Sequence, residues 1–583
     1  MDFFYDRPDA VVDAGLDALC ADSGLVRSAP DTAGVRIVAR ADWDRRLGQV
    51  ALVSGGGAGH EPSHAGYVGS GMLTAAISGE VFASPSVEAV LAGIRRVSGE
   101  AGCLLIIKNY TGDRLNFGLA AERAAGEGHR VASVIVADDI ALPQVAQPRG
   151  IAGTVLVHKI AGACAARGDE LETVTAAAQR VADELCSLGL SLEACHVPGQ
   201  ATQSRQPELG LGIHNESGAQ QVDPRDASEA MGQVLAPLKA EFERRFGADM
   251  PMIVMLNDLG GCAPQELAVL TRALIDGLGV ARIERLVRPA RLMTSMNMHG
   301  FSVTLLPART DYVQALDEPA SPAAWPGAFK PAPVAHFEPH LSVNYESAGM
   351  RDEAIEARIG AVLAAVDQAR EALDALDAES GDGDTGSTFA SGAKAVRKLL
   401  DEGLLSSADN ARLCGQLGRT LAQAMGGSSG VLLSILFAAA GVALDEGLLW
   451  PEALAQGISR MQHYGGARPG DRTMLDALVP AVNALREGGD LTAAAKAARE
   501  GADATANITQ AGAGRAAYVR AEVLKGSLIP APRRWRACFR RWRATEPSPG
   551  GRFGGNPDTR PRSGPRRARS RSRAHRRYRG ARR

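Results

Sequence analysis

No apolar run in this sequence reaches the length of a membrane span: the longest, Val431 to Leu444, covers about fourteen residues and includes a serine, where a spanning helix needs about twenty. The eight cysteines form no C-x-x-C pair and follow no regular spacing. That excludes the common zinc sites and favours free thiols in a reducing compartment over disulfides. The opening Met-Asp-Phe-Phe-Tyr-Asp is acidic where a secretory leader is basic, so the expectation is a cytoplasmic protein with no membrane segment. Also missing are a G-x-x-x-x-G-K-[ST] loop and the H-R-D and D-F-G sets, so the familiar phosphate cradles are excluded. Lysine is absent from the last 51 residues, where 19 arginines face only Glu546 and Asp558. The net charge of −2 therefore hides an acidic body and a basic tail.

What is present is a soluble composition, 45% hydrophobic and 22% charged, in 583 residues, too long for a single core. The most informative stretch is Asp382-Gly383-Asp384, with Asp377 five residues earlier and Thr385-Gly386-Ser387-Thr388 after it. Carboxylates crowded this closely repel unless a cation neutralises them. Oxygen ligands with no His or Cys nearby suit Mg²⁺ or Ca²⁺ rather than Zn²⁺, and so few carboxylates suit Mg²⁺ completed by substrate phosphates. An EF-hand loop starting at Asp382 would need Asp or Asn at its fifth position and Glu at its twelfth, where Gly386 and Ala393 stand. Phosphate-holding turns follow in Gly426-Gly427-Ser428-Ser429-Gly430 and in Gly465 to Met474. The first is expected to lead into a helix from Val431 to Leu444, whose N-terminal N–H groups would face an anion. Standing alone, such a Gly-Ser turn would be read as a linker.

Residues 1–330 alternate apolar runs with helical patterns, the signature of an α/β domain. Val50–Ser54, Cys103–Ile107, Val131–Ala137, Met252–Leu256 and Ser302–Leu306 read as buried strands. Glycine-rich and polar segments follow the first two, where ligands bind in α/β sheets. From Glu318 to Glu338 the chain is rich in Pro and Ala and reads as a semi-rigid linker, with the domain junction placed at 331–345. Beyond it Ile355, Ile359, Val362, Val366, Leu373 and Leu376 share a helical face, which puts Asp377 at a helix end and Asp-Gly-Asp in the next turn. Residues 346–530 are expected to be all-α.

Six motifs in order resemble the ATP-dependent single-chain dihydroxyacetone kinases over roughly residues 1–526: Gly-Gly-Gly-Ala-Gly-His-Glu-Pro (55–62), Gly-Glu-Val-Phe-Ala-Ser-Pro (79–85), Lys-Asn-Tyr-Thr-Gly-Asp-Arg-Leu-Asn-Phe-Gly (108–118), Gly-Leu-Gly-Ile-His (210–214), Gly-Asp-Gly-Asp-Thr-Gly (381–386) and Pro-Gly-Asp-Arg-Thr-Met-Leu-Asp (469–476). The resemblance implies an N-terminal α/β substrate domain and a C-terminal eight-helix barrel that binds Mg-ATP, in a homodimer. It implies that His214 captures dihydroxyacetone as a covalent hemiaminal, chemistry open to a neutral imidazole nitrogen. Asp113 matches the acceptor of the proton from the attacking hydroxyl and His60 its companion, with Gly57, Ala58, Gly59 and Lys108 as further substrate contacts. Without that context Asp113 is a turn residue after glycine and His60 a helix-start residue before proline. Asp377, Asp382 and Asp384 match ligands of two Mg²⁺ ions. Thr385, Gly386, Ser387, Thr388, Ser428, Ser429, Gly465, Met474 and Arg515 match nucleotide contacts.

Phosphoryl transfer then needs in-line alignment, charge neutralisation and a base. The related alternative in another class is a lyase that cleaves FAD to AMP and a cyclic riboflavin phosphate. A phosphotransferase subunit fed by a phosphoprotein is disfavoured, because here the two domains are fused.

One segment departs from the family. After Gly514-Arg515-Ala516 the chain lacks the family's Asp-Pro-Gly-Ala loop and final helix, reading Gly526-Ser527-Leu528-Ile529-Pro530 into the Arg/Pro tail. Residues 531–583 are expected to be disordered, with too few apolar anchors to offset ordering entropy, and resemble an out-of-frame reading of a GC-rich region. Their rival reading, a basic arm for nucleic acid or acidic lipid, lacks aromatic spacing. A third functional reading is a non-catalytic binding protein whose altered C-terminus no longer holds ATP.

Overall fold

The computed structural model describes residues 4–21, 24–29, 34–200, 205–339, 351–378 and 382–518. The expectations for residues 531–583, for the linker beyond 339 and for Gly381 lie outside the described residues. The chain divides into two compact units, Met1–Phe337 and Glu338–Arg583.

The first unit is built on two sheets. One holds β1 (Leu25–Arg27), β2 (Arg36–Arg40), β3 (Ala51–Ala58), β4 (Ala75–Val81), β5 (Cys103–Lys108) and β6 (Val131–Val136), in the order β1-β2-β4-β3-β5-β6, with β4, β3, β5 and β6 parallel. The other holds β7 (Cys186–Ser191), β8 (Glu208–Leu209), β9 (Gln220–Gln221), β10 (Met252–Asp258), β11 (Ile283–Ala290), β12 (Gly300–Pro307) and β13 (Ala328–Phe329), in the order β13-β11-β10-β12-β7-β8-β9. Its helices are α1 (Val11–Leu19), α2 (Val87–Val97), α3 (Thr111–Gly126), α4 (Thr154–Ala166), α5 (Leu171–Glu184), α6 (Ala227–Phe246), α7 (Pro264–Leu278) and α8 (Thr310–Asp317).

Three cores set the layering. Residues of α2 and α3 pack on one face of the first sheet, and residues of α6 and α7 on one face of the second. Between the sheets, Val155, Leu156 and Ile160 of α4 and Val174 and Val181 of α5 join Leu52 and Leu104 from one side to Ile253 and Leu306 from the other. Helix α4 is covered all round: every residue from Thr154 to Ala165 is buried, His158 and Lys159 among them.

Differences from the sequence reading have local causes. The first strand runs on through Gly55-Gly56-Gly57 to Ala58 instead of ending at Ser54. A Cβ on Gly55 would lie 2.2 Å from the Ile77 carbonyl oxygen of β4, so the glycines allow a close backbone approach inside the sheet rather than a turn after it. Gly55→Ala is expected to cost about 1–3 kcal/mol by overpacking and to lower the thermal midpoint by several degrees; an unchanged melt would mean that β3 and β4 part freely. The strand over 131–136 is a sheet edge with Ile135 41% exposed, not a buried strand. The Pro-rich stretch from Glu318 starts as part of this unit: Ser321 exchanges hydrogen bonds with Ser70, N–H to carbonyl at 2.9 Å and N–H to Oγ at 2.8 Å, and β13 pairs with β11.

The second unit contains no strand among the described residues. It consists of α9 (Glu353–Gln368), α10 (Arg370–Asp377), α11 (Thr385–Asp401), α12 (Asn410–Ala424), α13 (Gly427–Asp445), α14 (Trp450–Gly465), α15 (Leu475–Arg486) and α16 (Leu491–Ala504), with consecutive helices packed on one another. Aspartates cap α9, α12 and α16: the side chains of Asp352, Asp409 and Asp490 accept from N–H groups of the first turn. Helix α13 starts before the Ser428–Ser429 pair rather than after it, and its 19 residues make it the one helix among those described that is long and apolar enough to cross a membrane by length and composition. It packs between α12 and α14.

Candidate active site

The carboxyl ends of the parallel strands collect the chemistry of the first unit. Lys108 is the last residue of β5, and Asp113 lies in the first turn of α3 just beyond it. Both reach the space above Gly56: a Cβ there would sit 3.3 Å from Asp113 Oδ2 and 3.3 Å from Lys108 Nζ. Asp113 is 3% exposed, and its Oδ1 accepts from Ser84 Oγ at 2.5 Å, which leaves Oδ2 turned to this space. Lys108 is 1% exposed. Among the described residues its ammonium has no hydrogen bond or ion pair, only the Tyr110 ring 5.5 Å away. Burial lowers its pKa, while the carboxylates of Asp113 and Glu216 pull it back up. A buried cation kept near two carboxylates without a bonded partner is available to a ligand's oxygen.

The histidines meet from distant parts of the chain. His60 follows β3, and its Nδ1 contacts the Thr294 carbonyl at 2.8 Å, in the β11–β12 loop. Its Nε2 faces His214 Nε2 at 3.0 Å. Burial above all, then the positive charges of Lys108 and His214, holds the His60 pKa well below the ordinary value despite the Thr294 carbonyl. Phe82 stacks on His60 at 5.1 Å and meets His214 edge-on at 5.1 Å, and Tyr110 meets His214 edge-on at 4.6 Å. Gly57 and Gly59 admit Phe82: Cβ atoms there would fall 2.8 Å from its carbonyl carbon and 2.7 Å from its ring. Ala58 is buried and accepts, through its carbonyl, from Phe82 N. His214 sits on the loop between β8 and β9, held by Arg149 Nη2 to the Gly210 carbonyl (2.7 Å), Ser295 Oγ to the Ile213 carbonyl (2.6 Å) and the paired contacts of Asn215 with Cys195 (3.1 and 3.2 Å).

The second unit's acidic turn has the expected form. Asp377 ends α10, Asp384 precedes α11, and Gly383 between them takes φ +75. Asp377 Oδ2 accepts from the N–H groups of Gly383 (3.0 Å) and Asp384 (3.2 Å), bending the turn back on its helix. One oxygen from each of Asp377, Asp382 and Asp384 lies within 4.8 Å of the others. This donor set, all carboxylate and partly exposed, fits a hard divalent cation that keeps water or phosphate as its remaining ligands. Thr385, Gly386, Ser387 and Thr388 form the first turn of α11, with its N–H groups at the same end. Ser387 is not free: it donates from Oγ and N to Asp374 at 2.9 Å each. Those bonds, with one from Gly386 N–H, outweigh burial and keep Asp374 below the usual carboxylate range.

The remaining nucleotide candidates also stand at helix ends. Ser428 and Ser429 lie in the first turn of α13, Gly465 closes α14, and Met474 is the N-cap of α15. Asp476 shapes the loop before α15, accepting from Gly470 N (2.5 Å) and Thr473 N (2.7 Å). The side chain of Arg515 lies outside the described residues.

The sequence reading missed Ser84, Phe82, Thr294, Glu216 and Asp374. Ser84 and Phe82 stand inside a quoted motif, and Asp374 is one helical turn before Asp377 on the same face. Thr294 has no local signal, because only the fold brings the β11–β12 loop to His60.

A pair of facing histidines beside a buried carboxylate and ammonium in one unit, with a carboxylate cluster at a helix N-terminus in the other, fits a two-domain small-molecule kinase. The Dak1 domain matches residues 23–324 and the DAK2 domain residues 379–527. The chain is 43% identical to the dihydroxyacetone kinase of Citrobacter freundii over 92% of its own length and 98% of that protein, and 39% identical to the human triokinase/FMN cyclase over 87% and 94%. The crystal structure of the C. freundii kinase in complex with AMP-PNP and Mg²⁺ superposes with a TM-score of 0.70 at 40% identity, covering 94% of this chain and all of that one. The chain belongs to the single-chain dihydroxyacetone kinase family.

Proposed function

We propose that this enzyme transfers the γ-phosphoryl group of Mg-ATP to dihydroxyacetone, held covalently by His214. The observation that carries the reading is the convergence of His214, His60, Lys108 and Asp113 at the carboxyl ends of β3 and β5. A three-carbon ketone offers a carbonyl to the imidazole and a hydroxyl at each end. His214 Nε2 bonds the carbonyl carbon. Lys108 and the glycine-rich strand hold a hydroxyl, and Asp113, fixed by Ser84, accepts the proton that the attacking hydroxyl gives up. Glyceraldehyde and other short carbonyl sugars meet the same requirements. Asp377, Asp382 and Asp384 would hold Mg²⁺, two ions in this reading, and the first turns of α11 and α13 would receive phosphate oxygens. When bound, the metal supplies neutralisation of charge on the phosphates. A homodimer in the cytoplasm, with each nucleotide unit serving its partner's substrate unit, belongs to the same proposal; the free state of the seven described cysteines supports a reducing compartment.

A coupled assay with Mg-ATP and dihydroxyacetone, beside glycerol, tests this directly. Turnover with the ketone and little with glycerol is expected; equal rates with both would remove the role given to the carbonyl. Similarity to the human triokinase/FMN cyclase favours a second activity at the same metal site, cleavage of FAD to AMP and a cyclic riboflavin phosphate, which Mn²⁺ with FAD as sole substrate would reveal. A version ending at Ser527 separates an active tail from an inert one: unchanged turnover is expected, and loss would make the basic tail part of the enzyme.

A further inference from the structure

Next to His214 stands a carboxylate that the reaction as described does not use. Glu216 Oε1 contacts His214 Nδ1 at 3.0 Å, and Oε2 accepts from the His214 backbone N–H at 2.9 Å. The grip is prepared by the loop: Gly212 N–H donates to the Glu216 carbonyl at 2.8 Å, and Asn215 takes φ +64 to turn the chain between the two side chains. A Cβ on Gly212 would lie 2.0 Å from Glu216 Oε2 and 2.5 Å from Arg149 Nη1, so only glycine leaves room for the carboxylate.

The protons can be counted. The Thr294 carbonyl only accepts, so His60 Nδ1 carries a proton. Burial pushes Glu216 up, but the bonds and charge of His214 bring it down to about 2, so it is ionised and His214 Nδ1 carries a second proton. The two Nε2 atoms face each other at 3.0 Å with room for one further proton between them, and the step below starts from that state.

We infer that Glu216 is a positioning residue for the covalent step, fixing the proton on His214 Nδ1 so that Nε2 alone is nucleophilic, and offsetting the cationic ring that the bond to carbon creates. The inference rests on the reading of His214 as the site of ketone capture. The step balances within the site. The shared proton passes to His60 Nε2 and frees the lone pair of His214 Nε2, which bonds the carbonyl carbon. The π pair moves to the oxygen, and the oxygen takes the proton from His60. Burial and the Lys108 ammonium disfavour charge on His60, so it gives that proton up readily. The net charge of the site is the same before and after, and throughout it lies against Glu216. Tyr110, Lys108, Arg149, Asp139 and Cys195 are the other ionisable groups around this carboxylate.

The test uses the full chain with ¹⁵N-labelled histidine and [2-¹³C]dihydroxyacetone, without ATP. In the unaltered protein the adduct carbon should couple to Nε2 only. Glu216→Ala and Glu216→Gln should lower the adduct population and kcat/KM for dihydroxyacetone by roughly 10- to 100-fold, with the residual adduct divided between ring nitrogens and the KM for ATP unmoved. Glu216→Asp, which keeps the charge, should recover most of the Nε2 selectivity. Gly212→Ala should give a milder form of the same loss and decides the matter if the Glu216 variants do not fold. A Glu216→Gln protein with the normal adduct population, all on Nε2, would overturn the inference while leaving the function intact. No adduct in the unaltered protein would overturn both.

Discussion

Replacing His214 with alanine is expected to abolish the proposed covalent adduct with dihydroxyacetone and to reduce turnover by about a thousand-fold or more, because the substrate would lose the bond proposed to fix its hydroxyl against Asp113. The fold should survive. Beside the contacts of its ring, the loop that carries His214 is pinned by Arg149, Ser295 and Asn215, and the backbone N–H at 214 keeps its bond to Glu216, so the variant should stay folded and bind Mg-ATP as before. Mass spectrometry of the mixture with dihydroxyacetone gives the readout. An adduct that persists in His214→Ala would move the nucleophile elsewhere and remove the reading.

The second large effect lies in the other unit. Asp382→Ala and Asp384→Ala each remove an exposed carboxylate from the cluster, so Mg-ATP affinity or turnover should fall by orders of magnitude, in line with several kcal/mol of charge stabilisation from a metal. Stability should change little or rise, since without metal these groups repel. Asp377 should behave differently. It is only 9% exposed and holds the turn through Gly383 and Asp384 N–H groups, so Asp377→Ala should lose folding stability as well as activity. Isothermal titration with Mg-ATP, beside a thermal melt, separates the two kinds of loss. Normal turnover in both Asp382→Ala and Asp384→Ala would make the cluster structural.

How much of this could be read from the sequence depended on how local each signal was. The position of Asp377 at a helix end was legible because apolar residues recur at helical spacing through Leu373, and the turn that follows carries its own glycine. The glycine run after Ser54 misled, since glycine marks both turns and close strand contacts, and only the position of the Ile77 carbonyl decides between them. Strands β2, β4, β7 and β11 escaped because charged residues or glycines interrupt them, and pairing within the sheet overrides such weak propensity. Among the site residues, His60, Asp113 and Lys108 were legible as motif members. Glu216 was not, although it stands two residues beyond His214, because a lone acid in a polar loop gives no hint of which ring atom it will meet.

On the proposed function, the strand that carries Gly55, Gly56 and Gly57 would give the acceptor site a floor of bare main chain, and this limits how the enzyme can be re-engineered. A floor without side chains has nothing to shorten, so room for longer ketoses has to come from the aromatic walls. Phe82 and the neighbouring Met296 occupy positive φ, +59 and +53, where few replacements other than glycine, asparagine or aspartate are tolerated without strain. Tyr110 has ordinary extended backbone, φ −113 and ψ 144. Laboratory evolution toward larger sugars therefore has one aromatic position whose backbone accepts other residues, and a library begun at Tyr110, with its contacts to His214 and Lys108 in view, would explore more acceptor chemistry than one begun at Phe82 or Met296.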